Sequence, residues 1–311
     1  MRRLVESAAI EPGELVLEVG GGTGGLTDLL VSRAGSVVCV ELDRDLQVIL
    51  EDRFGRRPQS AIACPAGSVS TARPGRPSSP HAVGRRPGFV LVKGDVLAGK
   101  HELCPAVAER IREHGSSNGA GVKLVSNLPY QVATPLVMNL LVDYPEVTRL
   151  CFTVQEEVGE RLVAGPCCKA YGPLSIVSQA MCEVETIAHL PAHVFWPRPG
   201  VDSVMIRMDR RPHSGSAGAV PRPMTGNVHR NSRPHAVGRR PEPLVEPGDA
   251  GPFSRFVRQV FDHRRKTLRS ALAYVLDEAV CARAAQAFDL TRRPESLSVE
   301  EWKALFALCQ S

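Results

Sequence analysis

Residues 15–43 read LVLEVGGGTGGLTDLLVSRAGSVVCVELD, and this stretch decides the fold. The run LVLEV (15–19) is mostly apolar and stops at glycines, which predicts a buried parallel strand. The segment GLTDLLVSRAG (25–35) has helical spacing and ends on Gly35, and SVVCVELD (36–43) predicts a second strand. A strand, a helix and a second strand in this order indicate the βαβ unit of a parallel sheet.

The same alternation continues along the rest of the chain. We predict helices over 44–54, 105–114, 134–144 and 156–165, and strands over 89–95, 122–127, 149–155 and 202–208. Strands that alternate with helices indicate an α/β fold on a doubly wound, mostly parallel sheet, which binds ligands at the carboxyl ends of its strands. Amphipathic patterns over 253–276 and 300–309 predict a small C-terminal α-helical domain.

Two segments, 55–88 and 212–252, differ in composition from everything around them. Both are rich in Pro, Gly, Ser and Arg, and both contain the octapeptide PHAVGRRP. Such sequence cannot bury enough apolar surface to offset the entropy of ordering, so we expect surface insertions. Their arginines account for the net charge of +5, which by itself is therefore weak evidence for an RNA partner. A duplicated element in two tolerant loops explains them better than a basic RNA-contacting arm.

The bulk sequence argues against a membrane span and against a metal site. No run of about 18 apolar residues exists, which a membrane-spanning helix would need. None of the nine cysteines forms a C-x-x-C pair, and His189 and His193 have no evident third ligand. We therefore expect a chain without a bound metal.

The glycine-rich turn predicts a nucleotide-binding loop. Gly20, Gly22 and Gly25 satisfy G-x-G-x-x-G, in which glycines let the backbone approach a nucleotide. Glu41 ends the next strand, where a carboxylate can accept hydrogen bonds from ribose hydroxyls. This pattern serves NAD enzymes and S-adenosylmethionine (AdoMet) enzymes equally. Asp95 ends the third strand, where it could accept from an adenine amine or simply cap a turn.

The stretch LVSNLPYQVA (124–133) favours AdoMet over NAD. The exocyclic amine of adenine is a poor nucleophile, so its N–H groups must be held by acceptors while its lone pair points at the methyl carbon. The Asn127 side chain offers one acceptor, and the backbone carbonyl of Leu128 or Pro129 offers the other. Tyr130 offers a face on which an extruded base can stack. Direct displacement needs alignment and no nucleophilic cysteine. The alternative interpretation is that Asn127 and Pro129 only shape the turn and bind no amine.

An ordered set of motifs resembles one known family. The segments are LEVGGGTGGLT, VVCVELDRDL, KGDVL, SNLPYQVATPLV, FTVQEEVGERLVAGPCCKAYGPLSIVSQ, VFWPRPGVDSVMIRM and FDHRRKTLRSAL. Together they resemble the ribosomal RNA small-subunit adenine dimethyltransferases, the kasugamycin-sensitivity enzymes, over nearly everything outside the two insertions. The resemblance implies a class I, Rossmann-like methyltransferase that uses AdoMet without a metal. It implies that Gly20, Glu41, Asp95 and Asn127 contact AdoMet, in addition to Gly22 of the glycine motif. It also implies that Asn127, Pro129 and Tyr130 hold the target amine and that Phe195 stacks on the base.

The resemblance further implies a reaction and a partner. The family dimethylates two adjacent adenosines in a hairpin loop near the 3′ end of small-subunit rRNA, late in subunit assembly. We expect a cytoplasmic monomer. The segment HRRKTLR (263–269) predicts a basic cluster on one helix for phosphate contacts, formed by Arg264, Arg265, Lys266 and Arg269. The alternatives are a large-subunit rRNA methyltransferase of the macrolide-resistance type, a non-catalytic assembly factor and an NAD oxidoreductase.

These expectations divide the chain into three parts. We predict an AdoMet-binding catalytic domain over 1–211, an insertion or linker over 212–252 and a helical RNA-binding domain over 253–311. One departure from the family concerns the residues before the glycine loop. Family members carry a Gln-Asn-Phe-Leu segment about two dozen residues upstream, and only nineteen residues precede Gly20 here. Either translation starts upstream of Met1 or the cofactor pocket lacks one wall, and we favour the upstream start.

Overall fold

A computed structural model describes residues 1–55, 61–63, 88–118, 121–211 and 245–310. Most of the two predicted insertions lies outside the described residues. The strands are β1 (Leu15–Val19), β2 (Ser36–Glu41), β3 (Ala61–Ala63), β4 (Phe89–Lys93), β5 (Leu97–Gly99), β6 (Glu102–Leu103), β7 (Val122–Asn127), β8 (Val147–Gln155), β9 (Cys182–Leu190) and β10 (Ser203–Arg210). The α-helices are α1 (Arg2–Ala8), α2 (Gly25–Val31), α3 (Arg44–Phe54), α4 (Pro105–Asn118), α5 (Tyr130–Asp143), α6 (Glu156–Val163), α7 (Pro173–Met181), α8 (Ala250–Phe261), α9 (Leu268–Leu272), α10 (Glu278–Ala287) and α11 (Val299–Gln310).

The centre of the fold is an eight-stranded sheet with the order β3-β4-β2-β1-β7-β8-β10-β9. Neighbouring strands are parallel except where β10 pairs antiparallel with β8 and β9. The predicted doubly wound, mostly parallel sheet is therefore confirmed. The chain builds outward from β1 through β2 and β4, and then from β7 through β8 on the other side. The strand order thus reverses between β1 and β7, which is where such sheets form a ligand crevice.

The C-terminal helices pack on the sheet domain through a shared apolar core. Helix α8 contacts α7 and α5, and α11 contacts α7. Trp302 on α11 is fully buried, and its ring lies 6.1 Å from that of Phe256 and 6.3 Å from that of Phe261. The division into domains at 211 and 252 stays a prediction, because the intervening residues are largely outside the described part.

Two cationic side chains hold the C-terminal end of α1 against the sheet. Lys123 of β7 donates to the Ala9 carbonyl at 2.6 Å and pairs with Glu14 at 2.6 Å. Arg149 of β8 donates to the Ala8 carbonyl at 3.1 Å. Both cations are buried and meet the negative end of the helix dipole. The helix is therefore fixed by strands that lie more than 100 residues further along the chain.

Arg210, the last residue of β10, makes a second set of bonds to helix-end carbonyls. Its guanidinium donates to the carbonyls of four residues at the end of α5 and the start of β8: Leu140, Leu141, Tyr144 and Val147. The carbonyls of Leu140, Leu141 and Tyr144 lie at the end of α5, where the last carbonyls of a helix lack intrahelical partners, and that of Val147 belongs to β8. One side chain thus joins α5 to the sheet.

The predicted single helix over 253–276 is wrong. Helix α8 ends at Phe261, and α9 begins after Thr267, whose hydroxyl accepts from the Ser270 backbone N–H at 3.4 Å. The backbone N–H groups of Leu268 and Arg269 donate to carbonyls of residues 292 and 290 instead of to the preceding helical turn. The basic cluster is consequently not on one helix. Arg264, Arg265 and Lys266 lie in the turn, and Arg269 lies on α9.

Several elements were not predicted from sequence. They are α1, α7, β9, α10 and the short strands β3, β5 and β6. Helix α5 also begins at Tyr130, four residues earlier than predicted. None of the helices in the described residues combines the length and hydropathy that a bilayer-spanning segment needs.

Candidate active site

The glycine-rich loop follows β1 and turns through left-handed backbone conformations. The φ angles of Gly20, Gly22 and Gly24 are +78°, +58° and +84°, which L-amino acids with a side chain rarely adopt. A Cβ atom on Gly22 would meet nothing within 4 Å. At Gly22 the loop therefore presents bare backbone to open space at the carboxyl edge of the sheet, as a nucleotide-binding turn must.

Glu41 lies beside this loop at the end of β2. It is 6% exposed, and its two oxygens accept from the Gly22 N–H at 2.8 Å and the Asp43 N–H at 2.9 Å. Each carboxylate oxygen can accept a further hydrogen bond. The donor set of a ribose diol therefore fits this carboxylate, and the bond to Gly22 fixes it against the loop.

Asp95 lies at the same edge, two residues after β4. Its side chain is exposed, and Oδ1 accepts from the Leu97 N–H at 2.9 Å. This is the turn-capping geometry that the sequence left open as an alternative. The adenine contact of Asp95 stays a prediction.

Asn127, Leu128, Pro129 and Tyr130 join β7 to α5. Pro129 is the N-cap of α5 with φ −60° and ψ 131°, as proline's ring favours. Its carbonyl accepts from the Val132 N–H at 3.2 Å. The Leu128 carbonyl therefore suits a ligand amine better than the Pro129 carbonyl, which already has a partner in the helix.

Hydroxyl groups from the neighbouring strands hold both polar side chains of this segment. Thr153 Oγ1 of β8 donates to Asn127 Oδ1. The Tyr130 hydroxyl lies 2.9 Å from Ser203 Oγ at the start of β10. The asparagine amide is thus oriented by β8, the neighbour of β7 in the sheet, and the tyrosine ring by β10, which lies one strand further out. Sequence reasoning missed Thr153 and Ser203, because no motif marks them.

The glycine loop and the segment around Pro129 contact each other directly. A Cβ atom on Gly20 would lie 3.1 Å from Pro129 Cγ. Ser126 joins the two strands below this point, since its hydroxyl donates to the Val19 carbonyl at 2.6 Å and accepts from the Val19 N–H at 3.3 Å. The predicted cofactor loop and the predicted amine-binding corner therefore meet across the β1–β7 reversal point.

Glu18 is a buried acid directly beneath the glycine loop. It is 1% exposed and accepts from the Thr27 hydroxyl at 2.7 Å. Burial raises the pKa of Glu18 to about 8, although the hydrogen bond from Thr27 by itself lowers that pKa. The sequence signal for this buried acid was a charged residue inside the apolar run LVLEV, and sequence reasoning missed it.

Phe195 lies in the loop over residues 191–202, which joins β9 to β10. The side chain is half-buried. Asp202 Oδ1 accepts from the Ala192 N–H at 2.8 Å and closes the base of this loop. Ser203, the partner of Tyr130, follows directly. The loop that carries Phe195 is therefore anchored beside the predicted amine-binding corner.

The four predicted RNA contacts lie elsewhere, on the turn between α8 and α9 and at the start of α9. All four side chains are exposed: Arg264, Arg265, Lys266 and Arg269. Within the described residues no group of three or more His, Cys, Asp or Glu side chains could hold a metal ion.

Comparisons with known proteins agree on one family. A family model described as ribosomal RNA adenine dimethylase matches residues 1–64 and 91–220. The ribosomal RNA small subunit methyltransferase A of Moorella thermoacetica is 30% identical over 308 residues, which cover 98% of this chain and 86% of that protein. The protein of the same name from Chromohalobacter salexigens is 31% identical over 299 residues, which cover 96% and 82%.

Two solved structures share the fold at low sequence identity. The 23S rRNA methyltransferase ErmE has a TM-score of 0.59 at 19% identity, with coverage of 99% of this chain and 96% of that chain. A dimethyladenosine transferase from Plasmodium falciparum has a TM-score of 0.61 at 15% identity, with coverage of 98% and 92%. These likenesses show the Rossmann-like fold of class I methyltransferases.

Proposed function

Because this chain belongs to the ribosomal RNA adenine dimethylase family, we propose that it dimethylates the N6 amines of two adjacent adenosines in small-subunit rRNA. AdoMet is the methyl donor, and the target loop is the hairpin near the 3′ end. The carrying observation is the contact between Gly20 of the cofactor loop and Pro129 of the amine-binding corner. The small-subunit target is supported by the names of the relatives. The reaction belongs to ribosome biogenesis.

The residues at the sheet edge fit AdoMet. The open backbone at Gly22 leaves room for the methionine and ribose portions, and Gly20 lies against the corner where the methyl group must be delivered. Glu41 accepts from the ribose hydroxyls while its bonds to backbone N–H groups keep it in place. Asp95 accepts from the adenine amine. When bound, AdoMet supplies an electrophilic methyl group.

The amine of the target adenosine is held by two oxygen acceptors. Asn127 Oδ1 takes one N–H, and the donation from Thr153 keeps that oxygen turned into the site. The Leu128 carbonyl takes the other N–H, since the Pro129 carbonyl accepts from Val132. With both N–H groups held, the nitrogen lone pair points across to the Gly20 side. Attack on the methyl carbon would form the N–CH₃ bond as the carbon–sulfur bond of the sulfonium breaks and S-adenosylhomocysteine leaves, and the methylated amine would then lose a proton to water.

Two aromatic rings hold the extruded base. Tyr130 stacks on one face, with its hydroxyl fixed by Ser203. Phe195 stacks on the other face from the loop over 191–202. Stacking between side chains is the usual way to hold a nucleotide outside its helix.

The helical C-terminal part contacts the rRNA backbone. The exposed cations at the α8–α9 turn bind phosphate oxygens of the folded RNA: Arg264, Arg265, Lys266 and Arg269. The protein acts in the cytoplasm as a monomer on assembling small subunits. Residues 1–211 form the catalytic domain, 253–311 the RNA-binding domain, and 212–252 the connection.

Methyl transfer to isolated subunits tests the proposal. Purified protein with radiolabelled AdoMet is incubated with small subunits from an undermethylated strain, and primer extension maps the modified bases. We expect label at two adjacent adenosines near the 3′ end and none in fully methylated subunits. Asn127→Ala should abolish transfer, whereas Gln259→Ala removes an exposed amide on α8 and should leave it unchanged.

Three results contradict the proposal in different ways. Absence of label in undermethylated subunits argues against the reaction. Label in large-subunit rRNA instead identifies the macrolide-resistance type of enzyme. Wild-type growth and subunit maturation with Asn127→Ala favour a non-catalytic assembly factor.

A further inference from the structure

The loop over 191–202 carries an aromatic side chain that nothing in the proposed chemistry uses. Trp196 is 95% exposed, although tryptophan is among the most strongly buried side chains on average. Val194 and Val201 of the same loop are also more than 45% exposed. These three account for a third of the nine large hydrophobic side chains that are exposed in the described residues. The loop over 191–202 thus exposes three large hydrophobic side chains, more than any other loop of the described residues.

The position of this surface limits what can cover it. The loop is pinned at its base by the Asp202 bond to Ala192, and Glu156 N–H donates to the Asp202 carbonyl at 3.0 Å. Ser203 then holds the hydroxyl of Tyr130. Trp196 directly follows Phe195, which the proposed function places on the target base. Trp196 therefore belongs to the loop that the proposed function places beside the target base.

The size of the surface favours a nucleobase over a protein. A fully exposed aromatic side chain offers at most about 250 Å² of contact area. A stable protein interface buries about 800 Å² on each partner, which the Trp196 side chain alone does not supply. A single ring is the platform on which one unpaired base stacks.

We propose that Trp196 is a stacking platform for an unpaired RNA base next to the target adenosine. The ligand class is a purine or pyrimidine nucleotide in a single-stranded loop. This inference rests on the proposed function, because it requires that the adjacent target adenosine is extruded and stacked between Phe195 and Tyr130. Trp196 binds and positions RNA, and the methyl transfer itself runs through Asn127 and Leu128.

The surroundings predict how this contact depends on salt. Beside the loop lies a cleft lined by acidic side chains of Glu156, Glu157, Glu160 and Asp202. Phosphates avoid such a face, so the contribution of Trp196 comes mainly from stacking, which releases few counterions. Its share of the affinity should consequently persist at high salt, whereas that of Arg264 and Arg265 should shrink.

Intrinsic fluorescence isolates the proposed platform, because the chain has two tryptophans and the other, Trp302, is 0% exposed. The difference between wild type and Trp196→Phe gives the emission of Trp196. The probe is an RNA hairpin with unpaired adenosines in its loop, compared with a fully paired duplex of equal length. We expect the hairpin to quench Trp196 and protect it from acrylamide, and the duplex to do neither.

Binding and kinetics of variants provide the second measurement. Trp196→Ala should raise the hairpin Kd roughly 5- to 150-fold, and Trp196→Phe should retain most of the affinity. The KM for undermethylated subunits should rise, with little change in kcat. AdoMet affinity and urea midpoint should stay at wild-type values because the ring is exposed. Val48→Ala, which trims an exposed apolar side chain on α3, is the matched control.

The outcomes separate this inference from the proposed function. Unchanged hairpin affinity with Trp196→Ala, or Trp196 equally open to acrylamide with and without hairpin, overturns the platform even if methyl transfer proceeds normally. A change in sedimentation with Trp196→Ala also overturns it and assigns the surface to a contact between two copies. Quenching by the hairpin without any methyl transfer supports the platform and contradicts the proposed reaction.

Discussion

Replacement of Glu18 by glutamine should change how stability depends on pH. Below pH 4.5 the carboxyl carries a proton in both the folded and the unfolded chain. Between pH 4.5 and about 8 the folded chain keeps a proton that the unfolded chain has released. The free energy of unfolding therefore falls as pH rises through this window, and the decline ends above pH 8.

The magnitude follows from the width of that window. A pKa raised from 4.5 to about 8 spans about 3.5 pH units. At about 1.4 kcal/mol per unit, the buried acid lowers the free energy of unfolding by at most about 5 kcal/mol above pH 8. A glutamine has nearly the same shape and carries no titrating proton. The difference in stability between Glu18→Gln and wild type should therefore grow by about 4 kcal/mol from pH 5 to pH 8.

Urea unfolding at pH 5, 6, 7 and 8 measures this difference directly. The slope against pH is the readout, because any constant cost of fitting the amide cancels from it. Other titrating groups also cancel, since both proteins contain them. Glu6→Gln, which removes an exposed carboxylate on α1, shows what the loss of a surface charge does alone. Parallel stability curves for Glu18→Gln and wild type would refute the assignment of a neutral acid beneath the glycine loop.

Three further substitutions test the site and its support. Thr153→Val keeps the side-chain shape but removes the donor to Asn127. Single-turnover methyl transfer should slow about tenfold, which corresponds to an activation free energy higher by about 1.4 kcal/mol. The urea midpoint should not change. Equal rates would mean that the hydroxyl does not orient the amide. Gly20→Ala puts a methyl group 3.1 Å from Pro129 Cγ at a φ of +78°. Calorimetry should show weaker AdoMet binding, and urea unfolding should show that the free energy of unfolding falls by about 1–3 kcal/mol. Wild-type values in both measurements would contradict the contact. Arg210→Met leaves four carbonyls at the end of α5 and the start of β8 without their donor. The free energy of unfolding, measured by urea titration, should drop by about 2–4 kcal/mol. An unchanged urea midpoint would show that water replaces the guanidinium.

The sheet could be predicted because its central strands are nearly continuous apolar runs between turn signals. Strand β7 was predicted with the bounds that the structure gives it, and Asn127 lies at its end as expected. The contact between Gly20 and Pro129 follows from parallel strands that end at one edge. Two local motifs were enough for this part of the site, because each is encoded within a few consecutive residues.

The remaining parts depend on partners far away in sequence. Thr153 lies 26 positions from Asn127, and Ser203 lies 73 positions from Tyr130. Strand register alone makes them neighbours, and a single sequence does not reveal register. Helix α7 was missed because it buries Ser175 and Ser178, so its core face does not look apolar.

The break after Phe261 has a similar cause. The amphipathic pattern continues through it without a glycine or a proline. The helical pattern ends in a turn, where the His263 and Arg264 N–H groups donate to the carbonyls of Val260 and Phe261, three residues back. Leu268 and Arg269 then donate to residues 292 and 290, and such distant partners cannot be predicted from local periodicity.

The anchoring of α1 by Lys123 and Arg149 has a consequence for biosynthesis. The first helix leaves the ribosomal exit tunnel before its anchors exist, since they follow it by 114 and 141 positions. At about 5–20 residues per second, the nascent helix waits roughly 6–28 s for those strands. During that interval its apolar face, formed by Leu4, Val5 and Ala8, is available to chaperones and proteases. Arg3 of α1 also donates to the Ile187 carbonyl of β9 at 2.6 Å, so α1 is secured only after most strands of the sheet have been synthesised.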